Sequence, residues 1–138
     1  MKRIKFKKIV ASLLLAGSII SIGSISTNAA SARFSFSFNS GGNGGAYVDG
    51  SSNGKYYSLN SGIAYMNVSS FSKNGLGTTA NVTLKREKRG FDASYGTNSV
   101  SGTGKFSWDV DTTSGSYYLF VTGNSSYTQY DVSGTIYN

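Results

Sequence analysis

From Arg33 onward, large apolar and small polar side chains alternate with a period of two residues, a pattern that builds strands and leaves no amphipathic helix. The alternation is sharpest from Lys105 to Asn138, KFSWDVDTTSGSYYLFVTGNSSYTQYDVSGTIYN. Phe106, Trp108 and Val110 alternate with Ser107, Asp109 and Asp111, so one face of a pleated strand is apolar and the other wet. The turn-forming run Asp111-Thr112-Thr113-Ser114-Gly115 leads into Tyr117, Leu119 and Val121, backed by a second aromatic row of Tyr118 and Phe120. Beyond Gly123-Asn124-Ser125-Ser126, the residues Tyr130, Val132, Gly134 and Ile136 share one face of a last strand. The stretch reads as three strands and two turns, with Trp108 a core anchor on a strand flanked by hairpin partners.

The same pattern runs through the earlier chain. Phe34, Phe36 and Phe38 share a strand face, and the side-chain-poor run Asn39 to Gly45 reads as a loop before a short strand at Ala46 to Asp49. Asn53-Gly54 predicts a hairpin turn into Lys55 to Leu59. Ala64, Met66 and Val68 oppose Ile63 and Tyr65, and Ala80, Val82 and Leu84 line one face of Thr78 to Lys85. Lys85 to Gly90 reads as a tip, Phe91, Ala93 and Tyr95 as the next strand, and Gly96 to Gly104 as a loop. These make about nine short strands at turn spacings of about ten residues, the mark of an all-β protein. The inward aromatic rows need a facing layer, which predicts a small antiparallel β-sandwich, immunoglobulin-like or jelly-roll, with a small β-barrel as the alternative.

Residues 1–32 read as a cleaved secretory signal peptide and residues 33–138 as a single β-sandwich domain. Lys2, Arg3, Lys5, Lys7 and Lys8 precede an apolar run from Ile9 to about Ile25, and Ala30-Ser31-Ala32 offers the small residues of a cleavage site. A cut after Ala29 or Ala30 is the rival, while Ser18, Ser21 and Ser24 dilute the run below a good spanning helix. The formal charge of +7 belongs mostly to this leader: five of the thirteen basic residues lie in it and all six acids lie beyond it. What remains is nearly neutral, which removes the general basicity that would call for nucleic acid. There is no Cys to form a disulfide or carry a lipid, so the expected destination is secretion into the extracellular space.

The chain also has no His, which together with the missing Cys removes the commonest general base, the thiolate nucleophile and the nitrogen and sulfur ligands of zinc. A carboxylate pair is what remains, and Asp109 and Asp111 at i and i+2 read as ordinary solvent-face acids. The expectation is no enzyme and no cofactor. Asp109 and Asp111 are also weak calcium candidates, although turn formation already explains them. Lys85, Arg86, Lys88 and Arg89, around Glu87, are the densest charge beyond the leader, suited either to an anionic partner or simply to solvation of a turn. The adjacent pairs Tyr56-Tyr57 and Tyr117-Tyr118 put one ring on each strand face, so an exposed member stacks on a sugar or partner, or pairs across the strands.

From these features the chain is expected to be a small secreted non-enzymatic protein acting by surface binding to a cell-envelope polymer, a polysaccharide or a protein partner. The alternative is a secreted antimicrobial or membrane-active protein in which Ile63 to Phe71 and Thr78 to Lys85 rearrange into a membrane hairpin. A third reading is self-assembly, because no Pro guards strands such as Phe34 to Phe38.

Overall fold

A computed structural model describes residues 31–41, 45–124 and 127–138. The leader expected over Met1 to Ala32 lies outside these residues apart from Ser31 and Ala32. The alternating segments become nine strands: β1 (Ala32–Asn39), β2 (Ala46–Val48), β3 (Tyr57–Leu59), β4 (Gly62–Asn74), β5 (Ala80–Arg86), β6 (Ala93–Val100), β7 (Gly104–Val110), β8 (Ser114–Gly123) and β9 (Gln129–Tyr137). A first sheet has the order β1-β9-β4-β7 and a second the order β2-β8-β5-β6, with β3 also on β8. Every pairing is antiparallel. The protein is an antiparallel β-sandwich, as the alternation predicts.

The inward rows meet between the sheets. Phe34, Met66, Trp108 and Ile136 from the first sheet and Tyr57, Leu84, Leu119 and Val121 from the second are all buried in one core. Burying such side chains contributes about 1.5–3 kcal/mol each, the main favourable term in a chain without disulfides. Trp108 is the core anchor its position implies, and its indole N–H donates to the Gly96 carbonyl across the seam between β7 and β6 at 2.9 Å.

Bulges keep two strands in phase with this core. In β4 the inward row Ala64, Met66, Val68 resumes one residue late at Phe71, and Ser69 is the extra residue between the pairs Val68/Gly134 and Ser70/Ser133. The bulge presses β4 against β9: a methyl group on Gly134 would sit 1.9 Å from the Asn67 carbonyl oxygen, so only glycine fits. In β6, Tyr95 and Gly96 lie between the pairs Thr83/Thr97 and Lys85/Ser94, opposite Leu84 alone. Gly96 has a φ of 99°, which glycine adopts without strain.

Several expectations are corrected. Among the sequence-consecutive strands only β5 and β6 pair, and β7, β8 and β9 alternate between the sheets rather than forming a meander, so Trp108 has no hairpin partner. Residues Ala46–Val48 and Tyr57–Leu59 do not form a hairpin either. Both lie along the same edge of β8, and the chain between them loops out, held by a bridge between Gly50 and Lys55. Gly96 to Val100 is strand, not loop, because its hydroxyls and amides pair with β5: Thr97 with Thr83 at 2.6 Å and Ser99 with Asn81 at 2.9 Å. Phe91 lies outside the strand, on the connection between β5 and β6. In the fold β4 and β5 belong to opposite sheets, so a membrane hairpin of Ile63 to Phe71 and Thr78 to Lys85 requires the sandwich to open.

Candidate functional site

Parity places the aromatic residues of β8. Tyr117, Leu119 and Val121 face the core, which turns Tyr118 and Phe120 outward. Tyr118 is nevertheless buried, because Tyr47 from β2 and Tyr56 from the loop before β3 close over it at centroid distances of 5.9 and 6.5 Å. Tyr47 also packs on Phe120 at 5.1 Å and remains 58% exposed. On β5 the outward residue Lys85 lies opposite Tyr118 and holds its ammonium 4.7 Å from the centre of the Phe120 ring. The result is a ring platform with a cation at its border, on the outer face of the second sheet.

The β5–β6 tip rises from the foot of this platform and is braced against it. The Glu87 N–H donates to the Ser116 carbonyl at 2.9 Å, and the Ser116 hydroxyl donates back to the Glu87 carbonyl at 3.2 Å. The Tyr56 hydroxyl donates to the Glu87 carboxylate and the Tyr118 hydroxyl to Asp92, which also accepts from the Lys88 N–H at 3.4 Å. Both acids of the tip are thus turned back toward the sheet. Lys88, Arg89 and Phe91 face water.

Tyrosine takes the same part elsewhere. Tyr57 donates to Asp49 and Tyr95 donates to Asp111 at 2.7 Å, so four of the six acids accept from a tyrosine hydroxyl. Among the described residues the one ion pair joins Lys55 and Asp49 at 3.8 Å. Neutral donors therefore fix Glu87, Asp92 and Asp111 in place without an ion pair, while Asp49 takes both Tyr57 and Lys55. Burial, and then the bond to the carboxylate, hold the hydroxyls of Tyr57, Tyr95 and Tyr118 well above the ordinary tyrosine pKa. The Tyr95 bond holds the Asp111 carboxyl below its ordinary value, with a smaller contribution from Arg86.

The run of four cations is divided by the fold. Lys85 joins the ring platform and Lys88 and Arg89 occupy the tip, whereas Arg86 follows the inward parity of β5, opposite Tyr117, with a buried Nε that has no hydrogen-bond partner. Of the tyrosine pairs, Tyr57 and Tyr117 are core residues and offer no surface to a ligand. Tyr56 and Tyr118 belong to the platform, with Tyr118 supporting it from beneath. Asp109 is exposed and Asp111 is engaged by Tyr95; no three metal-ligating side chains converge on them or elsewhere among the described residues.

Three contributors escaped sequence reasoning. Tyr47 sits in a strand too short to show alternation, Phe91 is read as a strand residue, and Asp49 is read as the end of the Ala46 to Asp49 strand. Asp49 in fact organises its loop, with a left-handed φ of 66°, an amide bond from Asn53 at 2.8 Å and the bond from Tyr57. The outer face of the first sheet carries a shallow groove of about 390 Å³ with Ser35, Ser69, Ser133 and Thr135 in its lining and Arg33 and Lys55 at its side. It is open to water, so its shape suits a chain lying across it better than an enclosed small molecule.

No family model and no curated protein matches the chain. Among solved structures, the crystal structure of Yersinia pseudotuberculosis-derived mitogen is similar to it over 78% of this chain and 86% of that one, at 16% identity and a TM-score of 0.46.

Proposed function

We propose that this is an exported protein that acts by contact rather than catalysis, and that its ligand is an anionic polysaccharide of the cell envelope laid across the outer face of the second sheet. The observation that supports this reading is a cation set against ring faces: the Lys85 ammonium lies over Phe120, which packs on Tyr47, and the adjoining tip with the exposed Lys88 and Arg89 is tied to the same platform through Tyr56 and Tyr118, which hold its acids. Aromatic faces take the apolar side of a sugar ring, and ammonium and guanidinium groups take its carboxylates or phosphates. A flat platform without an enclosing pocket takes a polymer at several points, each of them weak.

Retention of the protein starting at Arg33 on polygalacturonate beads, with dextran beads as the uncharged control, tests this. We expect retention on polygalacturonate at low ionic strength and release as the screening length shrinks to about 3 Å near 1 M salt. Replacing Lys85, Lys88 and Arg89 with Ser weakens retention and moves stability by about 0.5 kcal/mol each or less. Tyr47→Ala weakens retention without changing its salt dependence. Absence of retention, or retention that survives both high salt and the triple substitution, overturns the reading.

A further inference from the structure

The β5–β6 tip carries a feature that a polysaccharide site does not use. Phe91 is 92% exposed at its crest, beside Lys88 and Arg89, which are also exposed. Open space surrounds the position a Gly90 side chain would take, with no atom within 4 Å. Its base is fixed by Ser116, Tyr56 and Tyr118: the Glu87 carboxylate accepts from Tyr56, and the Asp92 carboxylate accepts from Tyr118 and from the Lys88 N–H. The tip thus presents one apolar ring and two cations together, while both of its anions are engaged by hydrogen-bond donors. Leu76, which is 93% exposed on the connection between β4 and β5, provides the contrast: the nearest cation in sequence, Lys73, spends its ammonium on the Gly77 carbonyl at 2.7 Å.

We propose that this tip docks on an anionic lipid bilayer, with Phe91 entering the interfacial layer and Lys88 and Arg89 meeting the headgroup phosphates. Charge complementarity selects the partner, and the ring selects a partner with an apolar interior over a polymer in water. One ring or two cations alone bind weakly, whereas the two together give reversible attachment. The proposal shares Lys88 and Arg89 with the polysaccharide reading and is told apart from it by Phe91, which only an apolar interior accepts.

The absence of Cys allows a single-site probe. Phe91→Cys and Leu76→Cys are each labelled with the environment-sensitive fluorophore NBD and mixed with vesicles of phosphatidylcholine alone or with one third phosphatidylglycerol. The expected result is a blue shift at position 91 on the anionic vesicles only, reversed by 1 M salt, and none at position 76. In the unlabelled protein, Phe91→Ser lowers vesicle binding about tenfold, and Ser at Lys88 and Arg89 together lowers it roughly 30-fold. Polygalacturonate retention is unchanged by Phe91→Ser. No shift at 91, an equal shift on pure phosphatidylcholine, or an equal shift at 76 overturns the lipid proposal. So does a Phe91→Ser variant that binds vesicles as well as its parent, or that loses polygalacturonate retention in equal measure. Loss of polygalacturonate retention in the parent protein counts against the other reading alone.

Discussion

A tyrosine hydroxyl that donates to a carboxylate satisfies the acid and fixes its direction without consuming a positive charge, which makes the choice of partner for Asp49, Glu87, Asp92 and Asp111 consequential. A Lys or Arg in the tyrosine's place would have tied a cation to Glu87, Asp92 or Asp111, as Lys55 is tied to Asp49. Trp108 combines two roles in a comparable way, filling the core with its ring and closing the seam with its N–H. The two roles separate by substitution. Trp108→Ala removes both and is expected to cost about 3–5 kcal/mol, enough to unfold a domain of this size. Trp108→Phe keeps most of the packing but leaves the Gly96 carbonyl without its side-chain partner, an expected loss of about 1–3 kcal/mol. Urea unfolding of the two variants measures the difference, and a Trp108→Ala protein as stable as its parent contradicts the core role.

Among the elements, the β5–β6 tip is held by side chains from other strands, chiefly Tyr118 of β8 and Tyr56 of the loop before β3. Tyr118→Phe keeps the ring of the platform and removes only the bond to Asp92. We expect a loss of about 1 kcal/mol, together with faster amide hydrogen exchange confined to residues 87–92; exchange there at the parent rate means the tip is braced by its backbone alone. That bracing was not legible from the sequence. The strands with large inward rows were: Phe34 to Phe38, Ala64 to Val68 and Ala80 to Leu84 are all read correctly by alternation, because burial of one face imposes the period. The later part of β6 was missed because its outward residues are hydroxyls and amides, whose stabilisation comes from Thr83 and Asn81 on a neighbour that local composition does not reveal. The Asn53-Gly54 turn was real, but turn chemistry does not say which strand the emerging chain joins, and both flanking strands joined β8. For the same reason the basic run was visible as a run, while its division among platform, inward face of β5 and tip depends on sheet parity and on tyrosines remote in sequence.

Across the whole molecule, raised tyrosine pKa values set an alkaline limit to stability. Tyr57, Tyr95 and Tyr118 ionise in the unfolded chain near the ordinary value of 10.0 but remain protonated in the fold well beyond it. Above about pH 10 the folded state therefore binds more protons than the unfolded state, and stability falls as pH rises. Asp111 acts in the opposite direction: its depressed carboxyl contributes stability above the ordinary value of 3.8, which is lost as pH falls through its lower folded value. The urea midpoint is expected to stay level between pH 7 and 9 and to drop above pH 10, with a smaller drop in Tyr57→Phe. A midpoint that holds through pH 11 rules out buried tyrosines as the cause of any alkaline weakness. Side chains also bridge the borders of the two sheets at this scale. Beside the Trp108 bond, the Asn98 amide donates to the Ser107 carbonyl at 3.0 Å, so β6 and β7 each offer a side chain to the other's backbone. At the opposite border the Lys55 ammonium reaches the Arg33 carbonyl of β1 at 3.4 Å. Such contacts guard strand edges in a chain that has no Pro to guard them.

The place of β9 decides when the first sheet can close. It runs between β1 and β4, pairing with both, so the ninth strand fills the middle of that sheet. Until Gln129 to Tyr137 are in place, β1 has no strand neighbour and the Phe38 ring lacks Tyr130 to stack on. The first sheet is therefore completed from both directions by one late strand, whereas the second, β2-β8-β5-β6 with β3, draws on nothing beyond Gly123 and can pair before β9 arrives.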